Sequence, residues 1–238
     1  MQSSPSSSFT LSERLTIALD IGEIDAVKKL VDDLADLQPI FKIGFHTLFS
    51  GGLDLAADLA RQGLKIFLDA KLYDIPATVE GGARALAAQG YWCMTAHAQA
   101  QNIAGAVKGA SGSDTRIFGV TVLTSMDQDD LAADGVDNTI EGQVLHRAGQ
   151  ALGAGATGLI ASPHEVTALR DHFGMSPLLI TPGVRPKNTD QGDQMRVMTP
   201  GDTIRAGADS LVIGRPILQA SSPLDAAKRI LDEIHSVL

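Results

Sequence analysis

Short apolar, β-branched runs recur along this chain at nearly constant spacing. Those beginning at Leu15, Pro39, Leu64, Tyr91 and Arg116 start 24, 25, 27 and 25 residues apart. Between them lie segments of helical periodicity, clearest where Ile24, Val27, Leu30, Val31, Leu34 and Leu37 mark one face and charged residues the other. Strand and helix in strict alternation build a parallel sheet, because each strand must return to the next through a crossover. Three further runs, GLIASP (158–163), LLITPGV (178–184) and SLVIGRPI (210–217), bring the number of predicted strands to eight. Eight such units close most naturally into a single (β/α)8 TIM barrel, with its active site at the C-terminal ends of the strands. An open doubly wound sheet is the alternative, but LDIGEID after the first strand lacks the glycine-rich dinucleotide turn.

The length of 238 residues suits one such barrel over residues 13–238, preceded by a Ser-rich tail over 1–12 that is expected to be disordered. That tail has neither a basic start nor an apolar core, so it reads as no signal or anchor, and no apolar run approaches the roughly 20 residues of a membrane span. With 19 basic against 28 acidic residues the net charge is −9, which argues against a nucleic-acid polymer as partner. Any phosphate must be held by a local basic site. The single cysteine, Cys93, forms no internal disulfide and points to a reducing, cytoplasmic setting. No histidine spacing suggests metal ligation, and no cofactor is implied.

In a barrel, polar residues at C-terminal strand ends are functional candidates. Asp20 ends the first run, Lys42 lies near the end of the second, Asp69 and Lys71 end the third, His97 the fourth and Thr124 the fifth. Two polar stretches follow strand ends, TSMDQDDLAADGVDN after the fifth and RPKNTDQGDQMR after the seventh; the second has the composition of a mobile lid.

The third run is the most informative, since LKIFLDAKLYDIPATV sets Asp69 and Lys71 two apart, on one face of a period-two strand. Lys42 from the neighbouring strand adds a cation, and Asp74 either extends an alternating Lys, Asp, Lys, Asp chain or caps the next helix. A structural ion-pair network is the plainer reading of any one such pair. Several charges at adjacent strand ends favour a site. A second cluster suits phosphate: Gly214 and Arg215 in VIGRPI permit close backbone approach and a guanidinium fork, and Gly183 and Arg185 in TPGVRP face it across the lid.

DAKLYDIPATV, in order with LDIG, FKIG, VTVLTSM, TPGVRP and IGRPI from Leu15 to the last helix, resembles the orotidine 5′-monophosphate decarboxylase family, of bacterial type. The resemblance implies decarboxylation of orotidine 5′-monophosphate to UMP in pyrimidine biosynthesis, without a metal or cofactor. It implies that Asp20 binds the ribose and that Lys42 contacts sugar and the aspartate network. Asp69 would lie beside the departing carboxylate, and Lys71 would protonate C6. Asp74 and Thr78 would reach into the partner's site of a homodimer. Thr124 and Ser125 would lie at the pyrimidine, and Arg185, Gln194, Gly214 and Arg215 would grip the phosphate. Departures at Ala70, Leu72, Tyr73 and Ala77, where many bacterial members carry Leu, Phe, His and Asn, leave the charged row intact. His97 fits a position of the family, but the following AQAQ lacks the usual glycines, and it reads as structural. The alternatives are a Mg²⁺-dependent sugar-phosphate decarboxylase or aldolase of related barrel type, which shares D-x-K-x-x-D, and a non-catalytic phosphonucleotide-binding protein.

Overall fold

The computed structural model describes residues 9–186 and 198–238. Its strands are β1 Leu15–Ala18, β2 Ile40–Ile43, β3 Ile66–Leu72, β4 Cys93–His97, β5 Arg116–Val120, β6 Gly158–Ile160, β7 Leu178–Pro182 and β8 Ser210–Ile213. They pair in parallel, each with the next, and β8 pairs with β1, closing the predicted barrel. The helices are α1 Ile24–Leu34, α2 Phe45–Thr47, α3 Leu53–Arg61, α4 Pro76–Ala87, α5 Ala100–Gly109, α6 Gln128–Ala133, α7 Ile140–Gly153, α8 Val166–Phe173, α9 Pro200–Arg205, α10 Arg215–Leu218 and α11 Pro223–His235. Among the described residues, no helix is long and apolar enough to cross a membrane.

Strand alternation sorts the side chains into two cores. Leu15, Ile17, Phe41, Ile43, Ile66, Leu68 and Met94 face outward into the layer beneath the helices, where they meet Val27, Leu30, Val31 and Leu34, the stripe expected of α1. The residues between them face the axis: Ala18, Ile40, Phe67, Cys93, Phe118, Ile180 and Val212 fill the barrel. This plug is the floor of whatever lies above it. Two residues beyond the plug residues of β1, β2, β3 and β4, the same inward rows continue as Asp20, Lys42, Asp69 and Thr95.

The barrel is finished below by aromatic packing. Phe9 sets its ring edge against Trp92 at 5.9 Å, Trp92 stacks on Phe118 at 5.9 Å, and the Arg116 guanidinium lies 5.0 Å from the Trp92 ring. Phe9, within the stretch expected to be a tail, thus packs on the barrel and Ser12 opens a short 3₁₀ turn, while residues 1–8 lie outside the described residues. At the same end, Arg170 of α8 pins β7 to β8. It pairs with Asp209 at 2.7 Å and donates to the carbonyls of Gly207 (2.9 Å) and Pro177 (2.7 Å), while Asp209 accepts from the Leu179 amide at 2.7 Å.

Several elements differ from expectation. The fifth and eighth strands stop at Val120 and Ile213, short of the predicted Thr124 and Ile217, because the chain leaves the ladder to form the loops above the barrel. The polar stretch after β5 contains a helix, α6. Its start is a capping box: Asp127 accepts from the amides of Asp129 and Asp130, and Asp130 accepts from the amide of Asp127. Helix α5 approaches α4 closely because Gly105 has no side chain; a Cβ there would stand 2.8 Å from the Pro76 carbonyl oxygen.

Candidate active site

Above the apolar plug opens a cavity of about 590 Å³, floored by Phe67, Ile160 and Val212. Asp20, Lys42, Asp69 and Lys71 line one wall; Thr124, Ser125, Arg185, Gly214 and Arg215 line the rest. Nine residues expected from the strand ends and their loops therefore converge on one space.

The charged wall is a continuous row. Lys71 Nζ donates to Asp69 Oδ2 at 2.7 Å, Lys42 Nζ lies 3.4 Å from the same oxygen, and Lys42 Nζ lies 3.5 Å from Asp20 Oδ1. Lys42 and Asp69 are each 8% exposed, so both charges depend on their partners rather than on water. Burial pushes the Asp69 carboxyl up, but the neighbouring Lys42 and Lys71 charges, with hydrogen bonds from Lys71 and Thr95, hold it below its ordinary value. Asp69 is thus a fixed anion between two cations at neutral pH.

Lys71 reaches this position by a route that strand alternation does not describe. Leu68 pairs with Met94 and Leu72 with Ala96, so Asp69, Ala70 and Lys71 stand opposite Thr95 alone. The backbone bulges there, and Lys71 takes φ 43°, in the left-handed region that side chains usually avoid. Such strain persists where the surroundings over-determine it and marks sites of function. The Phe45 ring, at the start of α2, lies 5.3 Å from the Lys71 ammonium.

Across the cavity, Gly183 adopts φ 88°, a turn that favours glycine, and sends the chain to Arg185. Arg185 is 7% exposed and donates to the Val184 carbonyl at 2.9 Å. Its amide donates to the Met198 carbonyl at 3.0 Å, and Val184 bridges to Met198, so residues on either side of 187–197 are held together. The expected lid and Gln194 lie almost wholly in that stretch, outside the described residues. A Cβ on Gly214 would stand 3.3 Å from the Ala18 Cβ, so the turn into Arg215 is drawn tight against β1.

Asp74 and Thr78 do not join the row. Both are exposed on the ridge that opens α4, away from the cavity wall. Asp74 accepts from the Ile75 amide at 2.6 Å, and its own amide donates to Asn102 Oδ1 at 3.3 Å. It does not cap the helix as one reading of the sequence had it: the N-cap is Ile75, whose side chain makes no capping bond, and Pro76 follows. The alternating row of a single chain runs Asp20, Lys42, Asp69, Lys71. His97 stands outside the cavity lining, its ring 5.2 Å from Tyr73, and its backbone carbonyl accepts from Asn102 Nδ2 at 3.3 Å. Burial, then Arg147 and Lys71, lower its pKa.

Sequence reasoning passed over Thr95 and Asn102. Thr95 Oγ1 donates to Asp69 Oδ1 at 2.9 Å and accepts from the Lys71 amide at 2.9 Å, while Asn102 Nδ2 donates to the Leu72 carbonyl at 2.6 Å. For Thr95 a signal existed: it lies two residues before His97 on the inward row of β4.

Comparison with known proteins agrees along the whole barrel. The model of the family described as "Orotidine 5'-phosphate decarboxylase / HUMPS family" matches residues 13–230. An orotidine 5′-phosphate decarboxylase of Bradyrhizobium diazoefficiens is 45% identical over 226 residues, covering 95% of each chain. One from Methylorubrum populi is 43% identical over 225 residues, covering 94% of this chain and 97% of that one. The crystal structure of orotidine 5′-phosphate decarboxylase from Lactobacillus acidophilus superposes with a TM-score of 0.83 at 35% identity, over 93% of this chain and 99% of that one. An uncharacterized conserved protein from Geobacillus kaustophilus gives 0.79 at 28%, over 92% and 99%.

Proposed function

The chain belongs to the orotidine 5′-phosphate decarboxylase / HUMPS family, and from that premise we propose that it decarboxylates orotidine 5′-monophosphate to UMP with Lys71 as the proton donor. The observation that carries this reading is the Asp20, Lys42, Asp69, Lys71 row on one wall of a cavity that Arg185 and Arg215 also line. One wall suits a reacting carbon, the other an anion.

In the reaction the bond between C6 and the carboxylate breaks, carbon dioxide leaves, and the electron pair stays on C6. A fixed ammonium at Lys71 stabilises that developing charge and then transfers its proton to C6, giving UMP. Asp69 holds the ammonium in place and sets a negative charge beside the substrate carboxylate. Asp20 and Lys42 take the ribose, Thr124 and Ser125 the pyrimidine, and Arg185, Gln194, Gly214 and Arg215 the phosphate. Binding energy gained at the phosphate, remote from the reacting bond, orders the site for the chemical step.

Asp74 and Thr78 belong to the proposal as residues that one subunit lends to the other in a homodimer. Their exposure supports this, as does the company of Tyr73 and Ile75, each 67% exposed on the same ridge. Apolar side chains of that size left open beside a carboxylate suit a surface that a second copy covers. A cytoplasmic location is part of the same proposal, and the lone, buried thiol of Cys93 is in keeping with it.

The decisive experiment is a spectrophotometric assay of orotidine 5′-monophosphate decarboxylation in excess chelator. Undiminished turnover is expected. Activity that chelator removes and Mg²⁺ restores would instead assign the chain to the metal-dependent sugar-phosphate branch.

A further inference from the structure

We infer that Thr95 is a positioning residue for the Lys71 and Asp69 pair, through a hydroxyl that fixes the carboxylate of one and the backbone of the other. The inference rests on the decarboxylase reading of the same site.

Thr95 is fully buried and is not among the residues lining the cavity, so it acts on substrate only through others. It is the single residue of β4 standing opposite three residues of β3. An ordinary ladder cannot pair three with one, and the Lys71 amide would be left without a partner inside the barrel. The Thr95 hydroxyl accepts that amide at 2.9 Å. Its one proton goes to Asp69 Oδ1 at 2.9 Å. The other carboxylate oxygen, Oδ2, is thereby left facing Lys71 Nζ at 2.7 Å and Lys42 Nζ at 3.4 Å. One hydroxyl thus sets the rotation of the anion and the left-handed turn that brings the ammonium to it. Because threonine is β-branched, its χ1 is stiff, and the hydroxyl holds its direction without further support.

The groups facing Asp69 are Lys42 from β2, Lys71 on its own strand, and Thr95 and Cys93 from β4, with Asp20 beyond Lys42 and His97 further up β4. Of these, Thr95 is the uncharged group that donates a hydrogen bond to Asp69. Its removal takes a hydrogen bond from the charged form of Asp69 and leaves every formal charge in the row unchanged.

The test is Thr95→Val, which keeps the shape and deletes the hydroxyl, beside Thr95→Ser, which keeps the hydroxyl. In Thr95→Val, kcat is expected to fall about ten- to a hundredfold, the scale of one hydrogen bond to a charged group, while KM moves far less. The acid limb of kcat moves to higher pH, and the ¹³C resonance of the Asp69 carboxyl titrates at higher pH in the free enzyme. Thr95→Ser returns both the rate and the pH profile towards those of the parent. Packing alone would leave the pH profile and the Asp69 titration where they were. If Thr95→Val does not fold, Thr95→Cys, a weaker donor of similar size, is compared with Thr95→Ser, and equal kcat values in the two would overturn the inference. A parent enzyme inactive on orotidine 5′-monophosphate sinks the decarboxylase reading instead; the Asp69 titration, which needs no substrate, then still decides the role of Thr95. Unchanged kcat and an unmoved titration in Thr95→Val overturn it.

Discussion

Lys71 donates to Asp69 at 2.7 Å from a backbone held at φ 43°, so the shortest charged contact of the cavity wall is made by a residue in a conformation suited to glycine. A side chain there costs the fold stability and gives the site its ammonium. Lys71→Ala is expected to cut decarboxylation by at least ~10³-fold, within the range for a lost general acid, with the oligomer intact by size-exclusion chromatography. Turnover within tenfold of the parent would remove Lys71 from the proton-donor role.

Arg215→Ala tests the part of the cavity proposed to take the phosphate. A charge-assisted hydrogen bond contributes about 1.5–3 kcal/mol, so UMP affinity measured by calorimetry should weaken roughly ten- to a hundredfold, and uridine affinity should hardly change. Equal weakening for both ligands would move Arg215 from the phosphate to the nucleoside.

If Asp74 serves the neighbouring subunit, two dead variants repair one another. Lys71→Ala mixed with Asp74→Ala should form hybrid dimers with one complete site, recovering roughly a quarter of parent activity after random exchange. No recovery, with exchange proven by mass spectrometry, would confine each site to one chain.

Two of the groups with shifted pKa values, Asp69 and His97, give opposite reasons for acid sensitivity. Asp69 is held below its ordinary pKa, so its contribution to stability is present at neutral pH and disappears as pH falls through that lowered value. His97 is also lowered, chiefly by burial, and stays neutral in the fold at a pH where an unfolded histidine already takes up a proton; stability therefore declines as pH drops below the ordinary histidine pKa of about 6.5. Histidine Cε1 shifts followed by NMR should place the His97 midpoint below that value. A midpoint at or above it would contradict the burial argument.

At the far end of the barrel, Arg170→Ala leaves the partly buried Asp209 without its cation and removes three bonds to backbone carbonyls. Breaking a fully buried pair costs about 3–5 kcal/mol; with Asp209 partly open to water a loss of about 2–3 kcal/mol is expected, to be read from urea unfolding monitored by circular dichroism. A loss under 1 kcal/mol would mean that β7 and β8 do not depend on this pin.

The barrel and its charged wall were legible because both follow from period-two strands: one alternation that buries Phe67 also aims Asp69 at the axis. The same rule fails at Lys71, where the bulge rather than the alternation turns the side chain inward, although the residue still arrives in the cavity. Thr95 was missed although its place on the inward row of β4 was readable, because its hydroxyl acquires a role only opposite the bulge of β3. Helix α6 was read as loop because its capping box uses Asp130 where a longer Glu or Gln is the usual signal. For Asp74, spacing alone left open a helix cap or an extension of the row; the structure shows neither in one chain, since Ile75 is the N-cap and the carboxylate is exposed.

Closure of the sheet through β1 and β8 has a consequence for how the protein is made. Thr16 and Ser210 share a hydrogen bond across 194 residues of chain, and Gly214 is drawn against Ala18 beside them. During synthesis the strand that leads to Asp20 must wait, unpaired along one edge, until the last strand, β8, leaves the ribosome. A chain stalled before Ser210 is therefore an open sheet whose unpaired border is a template for pairing with other chains.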